Sequence, residues 1–163
     1  MKFGGHFHGW HDYVASGTIP AGASGPPGIP REVLDQVIVV PPNDMEALSE
    51  VFDDRDDVAA VILEPTGATF GMVPTSGDTL RALRDLTRRQ GAVLIFDEVV
   101  TGFRCSPGGA QAHYGVTPDL TTFAKIVAGG DPGAALVGRA DILRVMEFGE
   151  SEGRIVDPAI VHQ

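Results

Sequence analysis

The sequence predicts an α/β fold: a mainly parallel sheet with helices on both faces. Short apolar runs such as Val58-Ala-Ala-Val-Ile-Leu63 and Ala92-Val-Leu-Ile-Phe96 show no polar alternation. Continuous runs of this kind mark strands covered on both faces, and alternation with amphipathic helices gives βαβ units. A carboxylate, Asp97, directly follows one such run, and a lysine, Lys125, follows the next strand-like run with Gly129-Gly130 just beyond it.

The elements follow in order. Residues 1–30 are irregular, because Gly17, Gly22, Gly25, Gly28, Pro20, Pro26, Pro27 and Pro30 break both helix and sheet between residues 15 and 30. A loop of that length is either an active-site flap or a plain surface loop. Residues 31–163 form the βα units. Val37-Ile-Val-Val40 is a strand stopped by Pro41-Pro42. Asn43 then caps a helix running to about Asp53, with Glu46 completing a capping box. Residues 58–63 form a strand ending in Glu64-Pro65. The Gly77–Gln90 pattern is a helix with Leu80, Leu83 and Leu86 on one face and Gly91 as its stop. Residues 92–96, 120–123 and 134–137 are further strands, and a helix begins over 142–148. There is no internal repeat and no sign of a second domain.

Composition narrows the function. The 163 residues are 43% hydrophobic with a net charge of −10, so one domain with a real core is expected. Twelve basic against 22 acidic residues argue against a nucleic-acid partner. Cys105 is the single cysteine, which excludes an intrachain disulfide and suits a reducing compartment. No apolar run reaches the roughly 18 residues that span a bilayer, and Met1-Lys-Phe-Gly-Gly5 lacks a signal-peptide core. A soluble cytoplasmic protein without a membrane partner is expected.

In open α/β sheets, ligands collect at the carboxyl ends of strands. An acid and an amine delivered there are what pyridoxal 5'-phosphate requires: the lysine forms a Schiff base, and the acid pairs with the pyridinium nitrogen. Two other chemistries compete. Four apolar residues before Asp97-Glu98 also occur in nucleoside triphosphatases, but no Gly-x-x-x-x-Gly-Lys-[Ser/Thr] phosphate loop accompanies them. His6, His8, His11 and Asp12 have metal-ligand chemistry, but Gly9 kinks the chain between them, and no metal site is expected.

Four segments, in order, resemble the class III aminotransferases, of the aspartate-aminotransferase fold type. They are Gly5-His-Phe-His-Gly-Trp-His-Asp12, Ala60-Val-Ile-Leu-Glu-Pro65 with Met72-Val-Pro74, Leu94-Ile-Phe-Asp-Glu-Val-Val-Thr-Gly-Phe-Arg104, and Pro118-Asp-Leu120 through Lys125 to Gly138-Arg139. Gly109-Ala-Gln111, Tyr114-Gly115 and Pro118-Asp119 look most like the glutamate-1-semialdehyde 2,1-aminomutase branch. The long Gly/Pro loop points the same way, as does Ala68-Thr69, which stands where ordinary ω-aminotransferases carry Gly-Glu.

The resemblance implies roles. Lys125 is the catalytic amine, its pKa lowered by desolvation or a nearby cation so that it can shuttle a proton, and Asp97 the partner of the ring nitrogen. Val99 packs on one face of the cofactor ring, Phe7 stacks on the other with His8 beside it, and Glu64 stands near the cofactor. Each also has a plainer reading: a surface lysine, core residues, a strand-end carboxylate in water. Arg104 is expected in a structural ion pair or against a substrate carboxylate, the former preferred, and Cys105 is expected to be inert. The substrate class is a small amino acid or amino-aldehyde. A full member is a homodimer with a phosphate-cradling Ser-Gly-Thr turn, a following Gly-Thr and a C-terminal small domain. The chain is therefore expected to be a partial pyridoxal-phosphate-binding large domain over residues 1–163, small domain absent. The rival expectation is a catalytically inactive truncated α/β fragment.

Overall fold

The computed structural model describes residues 1–18 and 26–146. Its first strand, β1 (Lys2–Phe3), lies where no strand was expected. Two single-turn helices follow, α1 (Asp12–Ala15) and α2 (Arg31–Leu34); β1 and α1 fall within residues 1–30, so the segment read as wholly irregular carries two short elements. Residues 19–25 of the expected loop, and 147–163 with the end of the helix expected over 142–148, lie outside the described residues.

Strand β2 (Val39–Val40) is shorter than expected and leads into helix α3 (Met45–Asp54). The cap of α3 is Asp44, not Asn43: the Asp44 carboxylate accepts from the Ala47 N–H at 2.9 Å. Asn43 sits at φ 62°, in the left-handed region open to asparagine. Its side chain bridges to the Pro74 carbonyl and the Thr75 hydroxyl instead. With the cap one residue later, Glu46 no longer stands at the capping-box position. Strand β3 (Ala60–Leu63) follows, then a four-residue helix α4 (Ala68–Gly71) and a short strand β4 (Val73–Pro74) bridged back to Gly67 and Ala68.

Helix α5 (Gly77–Gln90) has the expected bounds. The Ser76 hydroxyl accepts from the Thr79 N–H, and Gly91 ends the helix at φ 71°, a conformation glycine adopts without strain. Strand β5 (Val93–Asp97) is followed by α6 (Gly109–Tyr114), a six-residue helix with no sequence forecast. Strand β6 (Leu120–Phe123) leads into a 3₁₀ turn (Lys125–Ala128). Strand β7 (Ala135–Gly138), helix α7 (Ala140–Leu143) and a second 3₁₀ turn (Arg144–Met146) complete the described chain.

The sheet order is β2-β1-β3-β5-β6-β7, parallel except for β7, which runs antiparallel to β6. A mostly parallel α/β sheet is therefore observed, but its two faces differ. Val61, Leu63, Leu94 and Phe96 pack beneath Leu80, Leu83 and Leu86 of α5 and Leu48 and Phe52 of α3 in one buried cluster. On the opposite face Ala60, Ile62, Val93 and Ile95 are only half-buried. There the α1 segment covers β1, with Lys2 reaching over to it. Helices thus lie on both faces, as expected, but unequally: α3 and α5 cover the first, and among the described residues the single-turn α1 lies over the second. Among the described residues, no helix is long and apolar enough to cross a membrane.

Asp119 fixes how β6 joins this sheet. Its carboxylate accepts from the Leu94 N–H of β5 at 2.8 Å, from Arg84 of α5 at 2.8 Å and from Arg139, just past β7, at 3.1 Å. Burial pushes the carboxyl up, but the Leu94 N–H and the two guanidiniums hold it below its ordinary range. Asp119→Ala leaves the buried Arg84 charge without its partner, and we expect a loss of roughly 3–5 kcal/mol in denaturant unfolding. In the unmodified chain this contribution is present above the ordinary carboxylate range and falls away in strong acid, where Asp119 protonates.

Candidate active site

Parallel pairing sets the geometry of the site. Asp97, the last residue of β5, stands in register with Thr122 of β6. Partners in register share a face of the sheet. Both therefore emerge on the face opposite α3 and α5, at the carboxyl end where the chain next reaches Lys125.

A cleft of about 270 Å³ opens there, and Phe7, His8, Glu64, Asp97, Val99 and Lys125 all line it. The structure thus brings together the six residues singled out from the sequence. It adds others that sequence reasoning missed: Ile62, Val100, Thr122 and the backbone of Gly9. Thr122 and Ile62 become visible only once strand pairing is known, since nothing in their local sequence marks them.

Asp97 is the most constrained group. One carboxylate oxygen accepts from the Val99 N–H at 3.1 Å and the Thr122 hydroxyl at 3.3 Å. The other lies 2.7 Å from Nδ1 of His8, with both side chains nearly removed from water. An ionised carboxylate only accepts, so the imidazole proton sits on Nδ1 and is donated to Asp97. This leaves Nε2 of His8 buried without a partner among the described residues. The second Asp97 oxygen has a lone pair to spare for one further donor.

The wall carrying Phe7 and His8 is fastened to the end of β3 by two reciprocal bonds. The Glu64 N–H donates to Nδ1 of His6 at 2.9 Å, and the Phe7 N–H donates to the Glu64 carboxylate at 2.8 Å. His6 is therefore neutral with its proton on Nε2. Burial, then the His8 and Lys2 charges, bring it down to about 4, against a weaker opposing pull from Asp97. Burial also pushes the Glu64 carboxyl up, with the Phe7 N–H, His8 and Lys125 working against it. Phe7 packs edge-on against Trp10, ring centres 5.2 Å apart.

The histidines expected to compete as metal ligands have separate duties: His6 accepts from Glu64, His8 bonds to Asp97, and His11 accepts from the Tyr13 N–H. Among the described residues, no group of three or more potential ligands is placed to hold a metal ion.

Lys125 differs from expectation in its surroundings. The amine is exposed rather than desolvated, because the 3₁₀ turn carries it to the rim of the cleft. Its backbone sits at φ 52°, a left-handed conformation that a non-glycine residue adopts at some cost and that recurs at functional sites. Arg104, expected in an ion pair, is exposed on the turn after β5 and has no ion-pair partner among the described residues. Cys105 is half-buried, and burial followed by the Glu98 charge pushes its thiol up, against the pull of Arg104.

Glu98, beside Asp97 in the chain, points to the opposite face and is fully buried. Its carboxylate accepts from the Thr101 hydroxyl and from the Ala110 and Gln111 N–H groups at the start of α6. A Cβ at Gly109, which has φ 72°, would run into that carboxylate. Glu98 thus ties the turn that presents Val99 to the body of the fold.

Comparison with known proteins gives this geometry a family. The class-III aminotransferase family model matches residues 1–154. Glutamate-1-semialdehyde 2,1-aminomutase from Sulfurihydrogenibium azorense is 47% identical over 148 residues, covering 88% of this chain and 35% of the relative. An omega-transaminase from Sphaerobacter thermophilus superposes with a TM-score of 0.80 at 38% identity, covering 88% of this chain and 35% of its own. A glutamate-1-semialdehyde-aminomutase from Pseudomonas aeruginosa PAO1 in complex with PMP gives 0.77 at 30% identity, covering 94% and 35%. The chain spans about a third of the length of the curated relatives it matches. It belongs to the class-III aminotransferase family.

The His6 clamp has a measurable pH consequence. Between its ordinary value of 6.5 and about 4 the unfolded chain takes up a proton that the folded chain refuses. Stability therefore falls with pH through that window, by on the order of 3 kcal/mol at its acid end. His6→Asn keeps an acceptor for the Glu64 N–H without a titrating ring. The variant is expected to unfold at the same denaturant concentration at pH 4.5 and pH 7 more nearly than the parent does.

Proposed function

We propose that this class-III aminotransferase chain forms the cofactor-side wall of a pyridoxal-phosphate-dependent aminomutase or aminotransferase acting on a small amino acid or amino-aldehyde. The observation that carries the proposal is the placement of the His8–Asp97 pair and the Lys125 amine in one cleft. The likeness to glutamate-1-semialdehyde 2,1-aminomutases supports the aminomutase branch.

The donor set fits the cofactor. Asp97 has an unused lone pair for a protonated ring nitrogen, and the His8, Thr122 and Val99 bonds fix that carboxylate before anything enters. Val99 and Phe7 offer apolar surfaces for the two faces of a flat ring. When bound, pyridoxal phosphate supplies an aldehyde carbon that carries the amino group and a ring that withdraws electrons from the substrate carbon. Lys125 would hold the cofactor through Nζ and, once released, take up and return a proton at that nitrogen. The exposed position of Lys125 keeps that amine within reach of a substrate entering from the rim. Glu64 holds the Phe7 wall through its backbone bond. A homodimer in the complete protein and a reducing, cytoplasmic setting belong to the same proposal. The rival reading is a catalytically inactive truncated α/β fragment, which the length comparison supports.

The experiment is direct because the chain has only two lysines, Lys2 and Lys125. Pyridoxal phosphate is added to the 163-residue chain, the mixture is reduced with borohydride, and the product is mapped by mass. The expected adduct lies on Lys125. A label on Lys2, or none at saturating cofactor, overturns the proposal. Lys125→Ala should abolish the adduct while shifting stability by less than about 0.5 kcal/mol, since the side chain is exposed. Asp97→Asn should permit the adduct but weaken cofactor retention at least about tenfold, the scale of a lost charge-assisted bond.

A further inference from the structure

The second lysine is unlike the first. Lys2 lies in β1, between β2 and β3, and is 1% exposed. It stands in register with Ile62, so its side chain leaves the sheet on the face that carries the cleft. The amine donates to the Val14 carbonyl in α1 at 2.7 Å and reaches the Thr18 hydroxyl at 3.5 Å. Nothing in the proposed chemistry uses it.

Placing an ammonium there is expensive. Burial brings the amine down to about 8, with only the Glu64 charge acting to hold its proton. A methionine would fill similar space without that desolvation cost. What the amine adds is a bond to a carbonyl in a four-residue helix too short to be stable alone.

The position of that bond gives it consequence. The segment over residues 6–18 lines the cleft near its start, through Phe7, His8 and Gly9. Its first end is clamped to β3 by the His6 and Phe7 bonds to Glu64. Its far end is held by the Lys2 amine on Val14 and by the Gly5 N–H donating to the Gly17 carbonyl. Among the described residues, loss of the Lys2 bond leaves the far end on the Gly5–Gly17 bond alone, so the segment that carries Phe7 and His8 loses its one side-chain tie to β1.

We propose that Lys2 is a positioning residue for the cleft: its buried amine ties the 6–18 segment to strand β1 and so sets where Phe7 and His8 stand. The functional meaning of the cleft comes from the reading above, but the contacts and the readouts that test them need no cofactor.

Two measurements on the cofactor-free 163-residue chain test it. Hydrogen exchange is followed at the Phe7 amide, which donates to the Glu64 carboxylate. Lys2→Met, matched to the parent in global unfolding, should exchange the Phe7 amide at least about tenfold faster, on the scale of one lost charge-assisted bond. Lys2→Arg, which restores a donor, should recover part of that protection. Unchanged Phe7 exchange in a folded Lys2→Met overturns the proposal.

The parent chain decides the matter even where a variant does not fold. Acetic anhydride labels the exposed Lys125 at once, whereas Lys2 reacts only when the 6–18 segment lifts. The Lys2 labelling rate should therefore match the opening rate read at the Phe7 amide. Lys2 labelled while the Phe7 amide stays protected overturns the proposal. Pyridoxal phosphate binding by the parent is scored separately, so failure of the cofactor reading leaves this result standing.

Discussion

The site depends on one constraint, the parallel register between β5 and β6. Pairing Asp97 with Thr122 puts a carboxylate and the approach to Lys125 at the same end and on the same face of the sheet. A slip of one residue would send Thr122 to the other face, away from the carboxylate it now donates to. Hydrogen bonds between strands do not choose the register, because every register makes them. Asp119 does choose: it bonds the Leu94 N–H of β5 while meeting Arg84 from the helix above. A buried carboxylate between those groups has only one position that satisfies them. Structural electrostatics at one end of β6 thus aligns the chemistry at the other.

Where periodicity was strong, the sequence predicted structure well. Helix α5 matched at both ends because three leucines and a terminal glycine indicated the same boundaries, which the Ser76 cap then fixes in the structure. Strand β6 matched as well. Strand β1 was missed because two residues carry no period, and one of them is a lysine, which reads as a surface residue. Lys2 is buried there because of Val14, twelve residues away, and no local rule reports a bond at that distance. The α3 cap was misplaced because Asn43 and Asp44 both have capping chemistry. Thr75 and Pro74, more than 30 residues on, decided between them by engaging the asparagine.

The candidate site was legible for a different reason. Asp97 and Lys125 were marked by their places after apolar strand-like runs, Phe7, His8, Glu64 and Val99 through motif resemblance, and the structure gives these residues distinct contacts. Asp97 and His8 form a preorganised pair, while Glu64 and His6 form a fastening. The sequence shows a histidine at every second or third position from 6 to 11, which suggests a cluster. In three dimensions the backbone turn at Gly9, with φ 102°, helps send the imidazoles to different partners. Residue type and spacing were the same on both views; only the direction of the side chains separates ligation from hydrogen bonding.

The strand pleat separates stability from chemistry in this chain. Residues 61, 63, 94 and 96 face the helices and form an apolar layer in which a lost methylene leaves a cavity. Residues 2, 62, 97 and 122 face the other way and include every polar sheet residue that meets the cleft or its supporting segment. That second face is half-open in its middle, so the hydrophobic effect does little to hold Phe7 and His8 over it. Directional bonds must do so instead, which accounts for the density of buried polar contacts around residues 2, 6, 8 and 64. Such contacts are costly to desolvate and tolerate little displacement. A wall held this way keeps its shape before any ligand arrives.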